Sequence, residues 1–125
     1  MENIKKLPDA EFDVMQVVWA NEPPITTSII MQQLGLAKGW KIQVVVTLMQ
    51  RLTERGFLRS EKHGKERTYF PLVKQEDYLR FETGNFRKQF HKNSFLSLVT
   101  TMCDDEALTQ EDIDAMMKLL KERRG

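Results

Sequence analysis

The stretch "EKHGKERTYF" (61–70) gathers Lys62, His63, Lys65 and Arg67 around one glycine and runs on into Tyr69 and Phe70. Cations at the tip of a hairpin have an evident chemistry. They neutralise phosphates, and the resulting affinity falls as salt rises. About twenty residues earlier, "KIQVVVTLMQR" (41–51) offers a second kind of group. The amide of Gln43 can pair with an adenine edge, and Val44 or Val46 can sit against a thymine methyl. Lys41 and Thr47 complete a set suited to base edges, and Arg51 joins Lys62, His63, Lys65 and Arg67 on phosphates.

Other chemistries find little support. Cys103 is the only cysteine, which excludes an internal disulfide and leaves no Cys/His cluster with metal-ligand spacing. A lone cysteine reads as buried packing material, and His63 and His91 as surface residues. There is no glycine-rich phosphate loop and no nucleophile elbow. The expectation is a non-enzyme with no catalytic residue, no metal and no cofactor.

The chain has 125 residues, 41% hydrophobic and 30% charged, as in an ordinary folded protein of one domain or of one domain plus an oligomerisation segment. No apolar run reaches the roughly 20 residues of a membrane helix, and "MENIKKLPDAEF" lacks the apolar region of a signal peptide. A cytoplasmic protein without a membrane partner is expected. The net charge of +1 conceals a division along the chain: −3 over residues 1–37, +6 over 38–74 and −2 over 75–125. The basic middle third contains both groups described above.

The elements that must position them are legible. "DAEFDVMQVVWA" spaces Phe12, Met15 and Trp19 as a helix does, with Asp9 and Glu11 in its first turn, and Pro23-Pro24 follow its end. "TTSIIMQQL" predicts a short second helix, with Gly35 and Gly39 bracketing the turn after it. The third helix, over about 41–55, places Ile42, Val45, Leu48, Met49 and Leu52 on one arc and Gln43, Thr47, Gln50 and Glu54 opposite. Gly56 supplies its C-cap. "FLRSEK" and "KERTYFPL" then read as two strands of a hairpin.

From Gln75 onward only helices are expected, the last opened by Thr109 and Asp112 as an imperfect capping box. Their apolar load exceeds what three short helices can bury among themselves. A homodimer interface is therefore expected from Tyr78, Phe81, Phe86, Phe90, Phe95, Leu98, Ile113, Met116, Met117 and Leu120. The whole is a mainly α (α+β) chain: a winged helix-turn-helix DNA-binding domain over 1–73 and a helical dimerisation domain over 74–125. In such a domain the third helix enters the major groove and the hairpin wing touches neighbouring phosphates.

"AEFDVMQVVW", "GWKIQVVVTLMQRLTERGFL", "RTYFPLV" and "FLSLV" carry a further signal. Together they resemble the penicillinase repressor family of bacterial transcriptional repressors, over about residues 7–122. The resemblance implies repression by a homodimer on a palindromic double-stranded DNA operator, often of β-lactam resistance or copper homeostasis genes. For the β-lactam-responsive members it also implies a regulatory protease as a partner.

Three departures qualify it. The family's pattern at the start of helix three, similar to W-S-x-K-T-V-x-T, is replaced by Trp40 to Thr47, "WKIQVVVT", which points to a different operator. The Asn-Phe bond cleaved in β-lactam-responsive members aligns with Thr101 and Met102. The cysteine-rich tail of the copper-responsive members is missing. An alternative reading makes the winged helix a protein-interaction module, its valines packing on a partner.

Overall fold

A computed structural model of the chain describes residues 4–90 and 92–124, apart from the side chains of residues 92, 93 and 95. His91 and the side chain of Phe95, both considered above, lie outside the described residues. The order is α1 (Asp9–Trp19), α2 (Thr27–Ile30), a π-helical turn (Met31–Gly35), α3 (Leu36–Lys38), α4 (Ile42–Glu54), β1 (Leu58–His63), β2 (Glu66–Pro71), α5 (Gln75–Gln89), α6 (Lys92–Asp104) and α7 (Gln110–Arg124). The chain divides into two compact units, 1–83 and 84–125, and α5 crosses the division.

The first unit is a winged helix. Thr26 caps α2 by accepting from the Ile29 N–H. The helical stretch begun by α2 then continues to Lys38 instead of stopping at Gly35, so Gly39 alone makes the turn expected from two glycines. Gly35 stays helical and buried because α4 packs close to it. A Cβ there would meet Met31 Sδ at 2.6 Å and Val45 Cγ2 at 3.5 Å. At the other end of α4, Gly56 adopts φ +84°, and the Phe57 N–H closes back on the Leu52 carbonyl at 2.9 Å.

Val45, Leu48, Met49 and Leu52 bury the inner face of α4, each contributing roughly 1.5–3 kcal/mol. Ile42, expected beside them, is 42% exposed, because the first turn of α4 extends past the edge of the core. On α1 the buried face is Glu11, Val14, Met15 and Val18, with Phe12 and Trp19 on its flank. The Glu11 carboxylate is buried and accepts from Arg55 Nε at 2.6 Å, tying α1 to the end of α4.

β1 and β2 pair antiparallel with Leu58 opposite Pro71 and His63 opposite Glu66. Ile25 adds a bridge on the far side of β2, exchanging two backbone hydrogen bonds with Tyr69.

Tyr78 is fully buried at the centre of an aromatic cluster with Phe12, Trp19, Phe57 and Phe81. Its hydroxyl accepts from the Leu7 N–H at 2.9 Å and donates to Glu82 at 2.7 Å. Burial and the Glu82 carboxylate push the phenol up to about 12, the Leu7 hydrogen bond opposing them in part. Tyr78 therefore has no surface to give a dimer partner, and its expected interface role is corrected to a core role. Phe81 is half-buried against the same cluster. These two residues bring the start of the segment assigned to dimerisation into the first unit.

In the second unit none of the described residues is buried. Phe86 and Phe90 stack at 4.5 Å, Leu98 and Ile113 are half-buried, and Met116, Met117 and Leu120 are 40%, 52% and 62% exposed. Leu96, Met102 and Leu119 are further exposed apolar residues, none of them among the interface residues expected above. Cys103 is exposed as well, not buried, since this unit encloses no described core. The capping box of α7 is complete: Thr109 Oγ1 accepts from the Asp112 N–H and the Asp112 carboxylate from the Thr109 N–H, both at 3.0 Å.

Candidate nucleic-acid interface

The outward arc of α4 and the hairpin form one face of the first unit. Lys41 is the extended residue just before the helix. Gln43, Thr47 and Gln50 follow at three- and four-residue spacings, all exposed and opposite the buried row. Ile42 and Val46 lie on the flank of this row that adjoins the hairpin, and Val44 and Arg51 lie on the other flank. Val46, Gln50, Thr53 and Glu54 meet Ser60, Arg67 and Tyr69 across a cleft of about 390 Å³.

Strand alternation sorts the basic residues of the hairpin. Leu58, Ser60 and Lys62 share a face with Pro71, Tyr69 and Arg67, and Leu58 and Tyr69 are buried in the core that also takes α4. Lys62 and Arg67 therefore continue the α4 side of the hairpin, with Arg67 held by a 2.9 Å hydrogen bond to Ser60 Oγ. Burial raises the Tyr69 phenol above its ordinary value, the Arg67 charge partly opposing it. Lys65 is in the exposed turn.

His63 falls on the opposite face, with Arg59, Glu61, Glu66, Thr68 and Phe70. Its Nε2 lies 3.4 Å from Glu61 Oε1. Arg59 covers the Phe70 ring at 4.3 Å and hydrogen-bonds to Glu61. The Arg59 hydrogen bond, with His63 beside it, holds the Glu61 carboxyl below its ordinary value. Of the nine residues expected at DNA, the structure thus brings Lys41, Gln43, Val44, Thr47, Arg51, Lys62, Lys65 and Arg67 to the α4 side and the tip, and turns His63 away.

Ion pairs neutralise part of the basic excess. Arg55 is paired with buried Glu11, Lys38 with Asp13 at 3.4 Å and Arg59 with Glu61. The cations without an ion pair among the described residues include Lys41, Arg51, Lys62, Lys65 and Arg67. Among the described residues no group of three or more His, Cys, Asp or Glu side chains is placed to hold a metal, and no helix is long and apolar enough to cross a membrane.

The family model described as the penicillinase repressor matches residues 7–122. The chain belongs to the penicillinase repressor family. Its relatives include the penicillinase repressor of Bacillus licheniformis, 27% identical over 125 residues that cover 100% of this chain and 97% of that protein. The methicillin resistance regulatory protein MecI of Staphylococcus aureus (strain N315) is 28% identical over 118 residues, covering 94% and 95%.

Two solved structures are similar to the winged helix. One is the monomeric form of Bacillus licheniformis BlaI in complex with the blaP half-operator, with a TM-score of 0.50, 31% identity and coverage of 60% of this chain and 90% of that one. The other is the DNA-binding domain of the repressor BlaI, with a TM-score of 0.51, 30% identity and coverage of 58% and 88%. As a member of the penicillinase repressor family, this chain is a DNA-binding transcriptional repressor with a winged-helix fold.

Proposed function

We propose that this repressor works in the cytoplasm as a homodimer on a two-fold symmetric operator of resistance or stress-response genes, with no catalytic step of its own. Gln43 and Thr47 of α4 would read base edges. Arg51, Lys62, Lys65 and Arg67 would hold phosphates and fix the register, and Lys41 would serve at the mouth of the groove. The observation that carries this reading is the common face. The outward polar row of α4, and Lys62 and Arg67 of the hairpin, lie on one side of one compact unit. Two copies joined through residues of 84–125 would add the binding terms of two half-sites.

A titration tests it. The purified protein is mixed with DNA from upstream of its own gene and with a scrambled duplex, each at low and at physiological salt. Saturable binding to the native DNA that persists at physiological salt is expected, with the scrambled duplex lost as salt rises. Binding that is equal for both duplexes and vanishes with salt would remove the sequence-specific reading. An interaction of α4 with a protein partner, which the exposed Val44 and Val46 favour, would instead resist salt.

A further inference from the structure

We propose that α4 of this repressor reads an A·T-rich half-site, Gln43, Thr47 and Gln50 meeting adenine edges while Val44 on one flank and Ile42 and Val46 on the other pack on thymine methyl groups. The proposal rests on the DNA-binding reading above and deepens it by naming the bases. Ile42, Val44 and Val46 are 42%, 40% and 43% exposed. One exposed aliphatic residue is ordinary on any surface, but three β-branched chains within five residues, bordering a polar row, form a patterned surface. Each has a nearly fixed χ1 in a helix, so ordering it against a partner costs little rotamer freedom.

The charges nearby say what that partner is. Lys41 immediately precedes Ile42, Arg51 shares the flank of Val44, and Arg67 lines the same cleft as Val46 with Lys62 as its strand partner. These cations suit a polyanion that also carries methyl groups. Thymine-bearing DNA meets both requirements in its major groove. The residues that are missing point the same way. Arginine or lysine on guanine is the commonest base-specific contact, yet no lysine or arginine occurs from Ile42 through Gln50. Lys41, before the first turn, is the cation placed to take a guanine, at one end of the half-site. Glutamine, present twice on the outward row, pairs with adenine.

The test begins with selection of tight-binding duplexes from a random pool by the full-length protein. The selected half-site should have an A·T core, with guanine favoured at one end only. Each thymine of that site is then replaced by deoxyuridine, which removes one methyl group, and each adenine by 7-deazaadenine, which removes one acceptor. Deoxyuridine should weaken binding about fourfold at contacted positions, the size carried by burial of one such group. Val44→Ala and Val46→Ala should each abolish that sensitivity at a different position, and Gln43→Ala should abolish sensitivity to one 7-deazaadenine. All three side chains are exposed, so the variants should retain the wild-type circular dichroism and melting temperature. A selected G·C core, or selective binding indifferent to deoxyuridine throughout, would overturn this proposal and leave the DNA-binding reading standing. Enrichment of no sequence at all would remove both.

Discussion

Tyr78 shows how far one side chain can depart from its local pattern. Its neighbours in sequence suggest a helix face meant for a partner, whereas its ring and hydroxyl organise the core of the first unit. With its phenol pushed up to about 12 from an ordinary 10, the fold favours the neutral form. That contribution is complete below pH 10 and is lost as pH rises from 10 through 12. Two pH units correspond to roughly 2–3 kcal/mol. Urea unfolding at pH 8, 10 and 11.5 should show the loss in the wild type and a smaller one in Tyr78→Phe, where Tyr69, also raised by burial, leaves a residual slope. At pH 8 the variant should itself be about 1–2 kcal/mol less stable, because the Leu7 N–H and Glu82 lose their partner. An unchanged alkaline loss in Tyr78→Phe would assign the effect to other groups. Glu11 and Arg55 teach a related lesson, since a charge counted toward the basic block closes an internal ion pair instead.

Among the elements, α4 and the hairpin divide the work, and that division can be measured. Gln43 belongs to the outward row of α4 and Lys65 to the hairpin turn. Gln43→Ala should cost about 1–3 kcal/mol on the preferred site and relax preference at one position of each half-site. Lys65→Ala should weaken every sequence about equally and lower the salt slope by about one. Affinities for a panel of single-base operator variants, taken at several salt concentrations, separate the two behaviours. Equal losses on all sequences for both variants would count against the assignment of α4 to the groove. Much of this layout was legible beforehand. The apolar arc of α4, the glycine after it and the β-propensity of "RTYF" are local signals, and the observed elements follow them within a residue or two. The sides of the hairpin were less legible, because which face of a strand meets a helix depends on register against a distant partner. His63 was accordingly grouped with Lys62 although alternation sends them to opposite faces.

For the molecule as a whole, the contrast between the two units is the main fact. Among the described residues the first encloses a core of fifteen buried hydrophobic side chains, whereas the second has none buried and exposes Leu96, Met116, Met117, Leu119 and Leu120. Apolar helices left this open are stable when a second copy covers them. Sedimentation equilibrium at micromolar concentration should therefore give twice the 14.7 kDa of one chain. Double substitution of Met117 and Leu120 by Glu should shift the mass to that of the monomer and leave the first unit folded. A monomeric wild type would remove the basis for a symmetric operator.

By itself the sequence determined the order of helices and hairpin, the two faces of α4, and the capping box that opens α7. Each depends on periodicity or turn chemistry within a few neighbouring residues. Only the tertiary structure decided that Tyr78 belongs to the first unit, that Trp19 donates to the Val73 carbonyl, that Glu11 holds Arg55 and that Ile25 pairs with Tyr69. Three of those side-chain bonds join residues 71, 54 and 44 positions apart. No local pattern encodes such separations, and it is packing of the whole unit that brings their partners together.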